Sequence, residues 1–256
     1  MTDQQYVAQS RGIDPPAQLT NMRLGLATML ECQDAGDGSP RLGLFYGPSG
    51  YGKSYAAAAI SARLGAAYVV VQSIWRQRSF LEAIAREIGI ARLERTGPRL
   101  LAQIIDQLLV DPIPLIIDET DHLIRWGGQA VEIIRDIHDN ARVPVLMIGE
   151  ESLPAKLKDW ERFDNRILVA RAAQPSTLSD ALLLRNYYCP RVAVEDDLVA
   201  AIVEATKGVT RRIVVNLQQA QATAIGAGRD TIDLADWQGT GRRFATGALA
   251  PIRKAA

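Results

Sequence analysis

"GPSGYGKS", residues 47–54, decides the fold, because it stands between the short apolar run "LGLFY" and a helical pattern. The pattern G-x-x-x-x-G-K-[ST] in a strand–loop–helix context is typical of a phosphate-binding loop. Its glycines let the backbone curl so that N–H groups point at phosphate oxygens, and the helix that follows adds a partial positive charge. The loop therefore predicts a nucleotide site.

Each residue type in this loop has a chemical use. The lysine is expected to reach the β- and γ-phosphates, and the serine hydroxyl is expected to contact Mg²⁺. The predicted ATP-binding residues are Gly47, Pro48, Ser49, Gly50, Tyr51, Gly52, Lys53 and Ser54, with Ser54 also a magnesium ligand.

Two adjacent carboxylates end the apolar stretch "PLIIDETDHLI", residues 114–124. Neighbouring carboxylates repel unless a cation lies close to them. Asp118 at the strand end suits a magnesium contact, and Glu119 is expected to polarise the attacking water. Thr120 and Asp121 are expected to cap the next helix. The second carboxylate favours ATP hydrolysis over transfer of phosphate to a substrate.

Apolar runs alternate with helical patterns through the first two thirds of the chain, which predicts an α/β fold. Strands that are apolar at every position indicate a parallel sheet covered by helices on both faces. After Pro175 only helical patterns follow, which predicts a small C-terminal helical lid domain. The five predicted strands are residues 42–46, 66–71, 115–118, 143–149 and 166–171.

Four segments are predicted on this basis. A polar tail and a helix occupy residues 1–40, the nucleotide-binding α/β domain 41–174, the lid 175–238, and a basic flexible tail 239–256. The basic residues of that last tail are Arg242, Arg243, Arg253 and Lys254.

Composition limits the binding partners and the cellular location that we expect for the protein. The formal net charge is zero, so a nucleic-acid partner would need a local basic surface. The two cysteines, Cys32 and Cys189, are far apart and have no metal-ligand spacing, which favours a reducing cytoplasm. No apolar run approaches the ~20 residues that span a bilayer, and the N-terminus lacks the apolar core of a signal peptide. We therefore expect a cytoplasmic protein without a membrane partner.

Three arginines are candidates for stabilising charge on the γ-phosphate. Arg166, just before the fifth strand, is the first choice for an arginine finger that enters a neighbouring subunit, and Arg162 is the second. Arg211, at the start of a lid helix, is expected to contact the γ-phosphate of its own subunit. The alternative for the first two is a surface salt bridge to Asp159, Glu161 or Asp164.

The order of these motifs resembles a known family. "GPSGYGKS", "LIIDETDHL", "VLMIGEE", "RFDNRI" and "GVTRR" follow one another as in AAA+ P-loop ATPases. More narrowly, the chain is similar to the transposition protein B family of Mu-type phages, with the related TniB and TnsC helpers of other transposons. The similarity runs from about residue 40 to about residue 237.

This resemblance implies a function. Proteins of that family bind ATP and Mg²⁺, assemble as helical filaments on double-stranded DNA with little sequence preference, and present the DNA to a transposase. They work in bacteria or phage-infected cells, and a neighbour's arginine completes each site. The resemblance implies hydrolysis stimulated by DNA and transposase, and a homo-oligomer, ring or filament.

The chain departs from the family in two places. Glu150 follows the fourth strand where the family usually has asparagine, and an ionised carboxylate cannot donate a hydrogen bond to a phosphate. The residues before the P-loop are too few for the DNA-binding domain that precedes the ATPase in the Mu protein. We therefore expect slow hydrolysis, and DNA contact from the ATPase core.

Two segments combine tryptophan with arginine and are candidates for that contact. They are "QSIWRQRSF", residues 72–80, and "IRWGGQ", residues 124–129. The alternative is tryptophan packed under a helix with solvated arginines beside it. The predicted DNA-binding residues are Trp75, Arg76, Arg78 and Arg125.

Other functions remain open from sequence. The same fold could serve as a loader or remodelling ATPase that acts on a protein, of the helicase-loader or secretion type. A small-molecule P-loop kinase is a different class, but it would leave Glu119 without a role. A non-catalytic module that uses ATP only for assembly is the last alternative, and Glu150 is its main support.

Overall fold

The computed structural model describes residues 19–247, and a five-stranded parallel sheet lies at its centre. The strand order is β2-β3-β4-β1-β5, so the strand before the P-loop lies between β4 and β5. This architecture confirms the predicted AAA+ P-loop fold. The strands are β1 (Leu42–Tyr46), β2 (Ala67–Val70), β3 (Leu115–Asp118), β4 (Val145–Gly149) and β5 (Ile167–Ala172).

Helices cover both faces of the sheet. Alternate residues of a strand point to opposite faces, so in β3 Ile116 packs into one apolar cluster while Leu115 and Ile117 pack into the other. Within residues 19–247 no helix is both long enough and apolar enough to cross a membrane. The helices of this domain are α1 (Thr20–Gln33), α2 (Lys53–Leu64), α3 (Gln77–Glu87), α4 (Gly97–Val110), α5 (Asp121–Ile124), α6 (Gly128–Ala141), α7 (Leu153–Leu157) and α8 (Glu161–Asp164).

The lid domain follows β5 and packs beside the first two helices. Its helix α9 begins with a capping box, in which Thr177 and Asp180 exchange side-chain and backbone hydrogen bonds. The prediction of helices alone was wrong, because β6 and β7 form a small parallel pair. Strands of two residues are too short to show a period in sequence. The lid elements are α9 (Leu178–Tyr188), β6 (Ala193–Val194), α10 (Asp196–Thr206), α11 (Thr210–Gly226), β7 (Thr231–Ile232) and α12 (Leu234–Gly239).

The start of the predicted flexible tail is held against the lid. Asn216 on α11 exchanges two hydrogen bonds with the backbone of Ala245, at 2.8 and 3.1 Å. The rings of Phe244 and Trp237 stack with centroids 5.4 Å apart. These contacts join Phe244 and Ala245 to the lid, and the flexibility of the tail stays a prediction. Residues 1–18 and 248–256, with Arg253 and Lys254, lie outside the described part of the chain.

Candidate nucleotide site

The P-loop joins the end of β1 to the start of α2, as the motif predicted. Gly50 and Gly52 have φ values of 85° and 81°, a region that other residues rarely adopt, so the turn depends on glycine here. Lys53 Nζ donates to the carbonyl oxygens of Gly47 and Pro48 at 2.6 and 2.9 Å. Burial lowers the pKa of Lys53, while nearby carboxylates, Asp118 first, oppose that shift. The lysine is therefore held at the mouth of the loop.

A cavity of about 360 Å³ opens beside the P-loop. Its walls come from five parts of the fold: the start of α1, the P-loop and α2, the ends of β3 and β4, α9, and the start of α11. The predicted residues that line it are Ser49, Gly50, Tyr51, Gly52, Lys53, Ser54, Asp118, Glu119 and Arg211.

Asp118 is a buried carboxylate with two protein partners. Its Oδ2 accepts a hydrogen bond from the Tyr68 hydroxyl at 3.0 Å, and its Oδ1 accepts one from the backbone N–H of Glu119 at 2.8 Å. Only 2% of Asp118 is exposed. Burial and the neighbouring Asp118 charge raise the pKa of Tyr68, which stays a donor. The structure therefore fixes the orientation of this carboxylate through a tyrosine that the sequence did not single out.

Glu119 occupies a strained backbone position. Its φ is 57°, in the left-handed region, which costs a residue other than glycine about 1–2 kcal/mol. Partial burial, and next the charge of Asp118, raise the pKa of the Glu119 carboxyl above its ordinary value of 4.5. Strain of this kind is concentrated at active sites. The strained turn directs Glu119 to the cavity, while Asp118 stays in the strand.

Asp121 does not cap a helix, and that prediction was wrong. Its buried carboxylate accepts the backbone N–H of Glu150 at 2.6 Å and Lys156 Nζ at 2.8 Å. Asp121 therefore links the segment after β3 to the end of β4. Both of its carboxylate oxygens accept hydrogen bonds in this link. The side chain of Glu150 is 61% exposed, at the rim of the cavity.

The lid contacts the P-loop directly. The backbone N–H of Arg211 donates to Gly50 O at 2.9 Å, and a Cβ on Gly50 would lie 3.0 Å from Val209. The exposed side chain of Arg211 lines the cavity, which matches the predicted place for a γ-phosphate contact. Ser176 and Thr210 share a hydrogen bond of 2.7 Å across the same junction. The position of α11 is therefore linked to the conformation of the loop.

The start of α1 also belongs to the site, and sequence reasoning missed it. Asn21 Nδ2 donates to Tyr51 O at 2.8 Å and to Gln174 O at 2.7 Å, and its Oδ1 accepts Gln174 N–H at 2.8 Å. Thr20 N–H donates to Asp180 at 2.8 Å. Asn21 thus connects the first helix, the P-loop and the segment after β5. In the sequence, a polar residue such as Asn21 near the start of a helix indicates helix capping and nothing about a nucleotide site.

Part of the cavity lining is apolar or aromatic, and such side chains suit the flat face of a nucleobase. Burial, and next the neighbouring tyrosines, raise the pKa of Tyr55, so its hydroxyl stays protonated. These lining residues are Leu19, Met22, Tyr55, Leu184, Tyr188 and Val214.

Arg166 lies at the opposite edge of the sheet from its own P-loop. Its carbonyl accepts the N–H of Leu42, the first residue of β1, whereas the P-loop follows Tyr46, the last one. At about 3.3 Å per residue the length of the strand separates the two. Its guanidinium pairs with Asp139 at 3.0 Å, and not with the acidic residues that the sequence suggested. Arg162 is exposed and has no ion pair within residues 19–247.

The two tryptophan-containing segments are neighbours in space. Gln77 Nε2 donates to Gln129 Oε1 at 2.7 Å, and the rings of Phe80 and Trp126 lie 6.4 Å apart. Trp75 and Trp126 are half-buried against the core, as the alternative interpretation expected, while Arg76 and Arg125 are exposed. We call this surface, made of Trp75, Arg76, Arg125 and Trp126, the tryptophan–arginine face.

Arg78, a predicted DNA contact, has several partners within the chain. Its guanidinium forms a salt bridge with Glu82 at 2.8 Å and donates to the carbonyl oxygens of Glu94 and Arg95. Most of its donors are therefore used within the chain. The sequence shows Glu82 four residues after Arg78, which is the spacing of an ion pair on a helix. The two carbonyl partners belong to the loop before α4 and could not be predicted in this way.

Comparison with known proteins shows what the α/β part is similar to. A family model described as an AAA domain matches residues 36–157. With the P-loop and the acidic pair, this match supports ATP hydrolysis as the chemistry of the site. A search of curated proteins found no match.

Several solved structures share the fold. The ORC2 protein of Aeropyrum pernix, solved with ADPNP and ADP, is 17% identical with a TM-score of 0.67, and the alignment covers 91% of this chain and 70% of that one. The Aeropyrum pernix ORC1 protein, solved in complex with DNA, is 16% identical with a TM-score of 0.62, covering 90% and 66%. CDC6P of Pyrobaculum aerophilum is 16% identical with a TM-score of 0.56, covering 90% and 68%. At such identities the likeness shows the fold alone.

Proposed function

We propose that this protein is an ATPase that binds duplex DNA in its ATP state, assembles on the DNA with further copies of itself, and delivers target DNA to a transposase. The observation that carries the DNA-binding part is the tryptophan–arginine face. Gln77 and Gln129 join its two segments, and its arginines are exposed. The solved complex of ORC1 with DNA supports DNA as the ligand of this fold.

The chemistry proposed is attack of water on the γ-phosphate, which breaks its bond to the β–γ bridging oxygen and releases ADP and inorganic phosphate. Glu119 accepts the proton of that water, and Lys53 and Arg211 stabilise the charge on the phosphate oxygens. Ser54 and Asp118 would hold Mg²⁺, which supplies charge neutralisation between the phosphates. No group of three or more His, Cys, Asp or Glu side chains in the described residues is arranged to hold a metal.

The assembly step is supported by the position of Arg166. It lies at the edge of the sheet away from its own P-loop, so only the nucleotide of another copy is a plausible target. A finger that acts between copies makes hydrolysis depend on assembly. The transposase as partner is supported by the sequence resemblance of the motifs from residue 47 to residue 212.

The test is fluorescence anisotropy of a random-sequence duplex titrated with the protein in ATP, in ADP and without nucleotide, at two salt concentrations. We expect tight, salt-sensitive binding that increases with duplex length and occurs only with ATP. A transposase assay with and without the protein then tests target delivery. Equal binding in all three nucleotide states would contradict control by ATP.

A second candidate is a loader or remodelling ATPase that acts on a protein partner. The observation in its favour is an exposed apolar pair at the end of α4, where Leu109 is 59% and Val110 is 84% exposed. In this case no duplex binding occurs in any nucleotide state, and the anisotropy experiment separates the two candidates.

A further inference from the structure

The segment that joins α3 to the start of α4 carries exposed arginines on a fixed backbone. We call residues 91–99 the arginine segment. Gln103 on α4 holds it from one side: its Oε1 accepts Glu94 N–H at 3.1 Å, and its Nε2 donates to Arg92 O at 2.9 Å. The backbone of this loop is therefore anchored by a side chain of the helix that follows it.

Arg78 holds the same segment from the other side. It donates through Nη2 to Glu94 O at 3.0 Å and through Nη1 to Arg95 O, while Glu82 accepts from its Nε. A guanidinium has five N–H donors in a rigid fork, so it can fix several acceptors at once. The arginine that sequence reasoning assigned to DNA thus positions the backbone between two further arginines.

This backbone presents three arginine side chains to solvent. Arg92, Arg95 and Arg99 are exposed, and none of them has an acidic partner within salt-bridge distance among residues 19–247. Residues 72–99 contain six arginines and three acidic residues, in a chain whose formal net charge is zero. The positive charge of the chain is therefore locally concentrated here.

This cluster is continuous with the tryptophan–arginine face. Arg78 stands two residues after Arg76 and contacts the backbone of Arg95, so the two sets of arginines share one part of the surface. Exposed arginines bind phosphate oxygens in bidentate fashion. An anchored backbone lowers the ordering cost of binding.

We propose that the arginine segment is a second contact for the phosphate backbone of duplex DNA, with Arg95 and Arg99 as ligands and Arg78 as the positioning residue. The proposal rests on the DNA binding proposed above and extends its footprint beyond the tryptophan–arginine face. The alternative ligand, an acidic protein surface, would leave the duplex affinity independent of these arginines.

The test is the salt dependence of duplex binding in ATP for the full chain, wild type and Arg95→Gln/Arg99→Gln. Removing one arginine that neutralises a phosphate lowers the slope of log K against log[salt] by about 0.9, so we expect a slope smaller by about 1.8. The matched control is Arg63→Gln/Arg191→Gln, which removes the same charge from exposed arginines elsewhere. ATP binding by each variant shows that the site and the fold are intact.

A variant slope equal to that of the control would overturn the arginine segment as a contact and leave the proposed function standing. Failure of the wild type to bind duplex in ATP would overturn both. Arg78→Met, made in the wild type and in Arg95→Gln/Arg99→Gln, tests the positioning role. We expect a several-fold loss of affinity in the first background and almost none in the second. Equal losses in both backgrounds would mean that Arg78 binds phosphate itself.

Discussion

The nucleotide site and the tryptophan–arginine face, the two regions proposed to bind phosphate, present their positive groups in physically different ways. At the nucleotide site, five parts of the fold converge on one cavity, backbone N–H groups are central, and charges are partly buried. At the face, exposed guanidiniums project from two loops that are joined by the Gln77–Gln129 hydrogen bond. Partly buried charges are screened little by salt, whereas exposed ones are screened strongly.

This difference predicts that the nucleotide site controls ATP hydrolysis and its pH dependence, and that the face controls DNA affinity and its salt dependence. Groups in the nucleotide site have shifted pKa values, so changes there should alter chemistry and its pH dependence at any ionic strength. Changes at the face should alter only the strength and the salt dependence of DNA binding.

The largest effect is expected for Arg166→Ala. Loss of an arginine finger lowers kcat by about 10³–10⁵-fold, while ATP binding should be unchanged because Arg166 is far from its own P-loop. Phosphate release and a fluorescent ATP analogue measure the two properties.

Mixing Arg166→Ala with Lys53→Ala should restore part of the activity, because each copy supplies what the other lacks. Arg191→Ala, which changes an exposed arginine outside the motifs, is the matched control and should keep most of its activity. No recovery on mixing would contradict a finger that acts between copies.

Glu119→Gln should lower hydrolysis by about 10²–10⁴-fold, as expected for loss of a general base, with ATP binding retained. In the wild type the rate should fall as the pH is lowered through a pKa that lies above 4.5, because the protonated carboxyl cannot accept a proton. A pH profile of kcat measures this, and the variant should lack that limb.

The stability of the same variant checks the cause of the shift. The folded state holds the Glu119 proton more tightly than the unfolded state, so ionisation of Glu119 destabilises the fold as the pH rises through the raised pKa. Glu119→Gln should therefore be more stable than wild type near neutral pH and equal to it below the unfolded pKa. Thermal unfolding at the two pH values that shows no difference would contradict the shift.

Arg76→Gln/Arg125→Gln should flatten the salt dependence of DNA binding by about 1.8 in slope, with ATP hydrolysis in the absence of DNA unchanged. The comparison is again with Arg63→Gln/Arg191→Gln. If DNA-free hydrolysis fell as well, the two regions would not be separable in the way described above.

The smallest effect is expected for Asn21→Ala. It removes three hydrogen bonds that join α1, the P-loop and the segment after β5, at roughly 1 kcal/mol each or less. The free energy of unfolding should fall by about 1–3 kcal/mol, with a weaker affinity for ATP. Denaturant unfolding measures the first and calorimetry the second. Arg23→Ala, on the exposed side of the same helix, should change neither.

Much of the fold was predictable because its signals are local. The P-loop motif, the apolar strands and the acidic pair each lie within a few residues, and the structure places them at one edge of the sheet. Their chemical roles stay predictions, which the variants described above test.

What the sequence did not predict depends on distant partners. Asn21, Tyr68 and the Arg166–Asp139 pair become informative only once separate elements meet. The backbone partners of Arg78 were missed for the same reason, because they are 16 and 17 residues away along the chain. The two-residue strands of the lid are too short for any periodicity to reveal them.

The left-handed backbone of Glu119 means that a substitution at this position changes stability and ATP hydrolysis in opposite directions. Glycine at this position would relieve strain of about 1–2 kcal/mol, partly offset by glycine's greater freedom in the unfolded chain. The same change deletes the carboxylate that we propose activates water. Glu119→Gly is therefore expected to give a more stable protein that still binds ATP and DNA but no longer hydrolyses ATP. Selection for folding stability and selection for ATP hydrolysis therefore favour different residues at position 119.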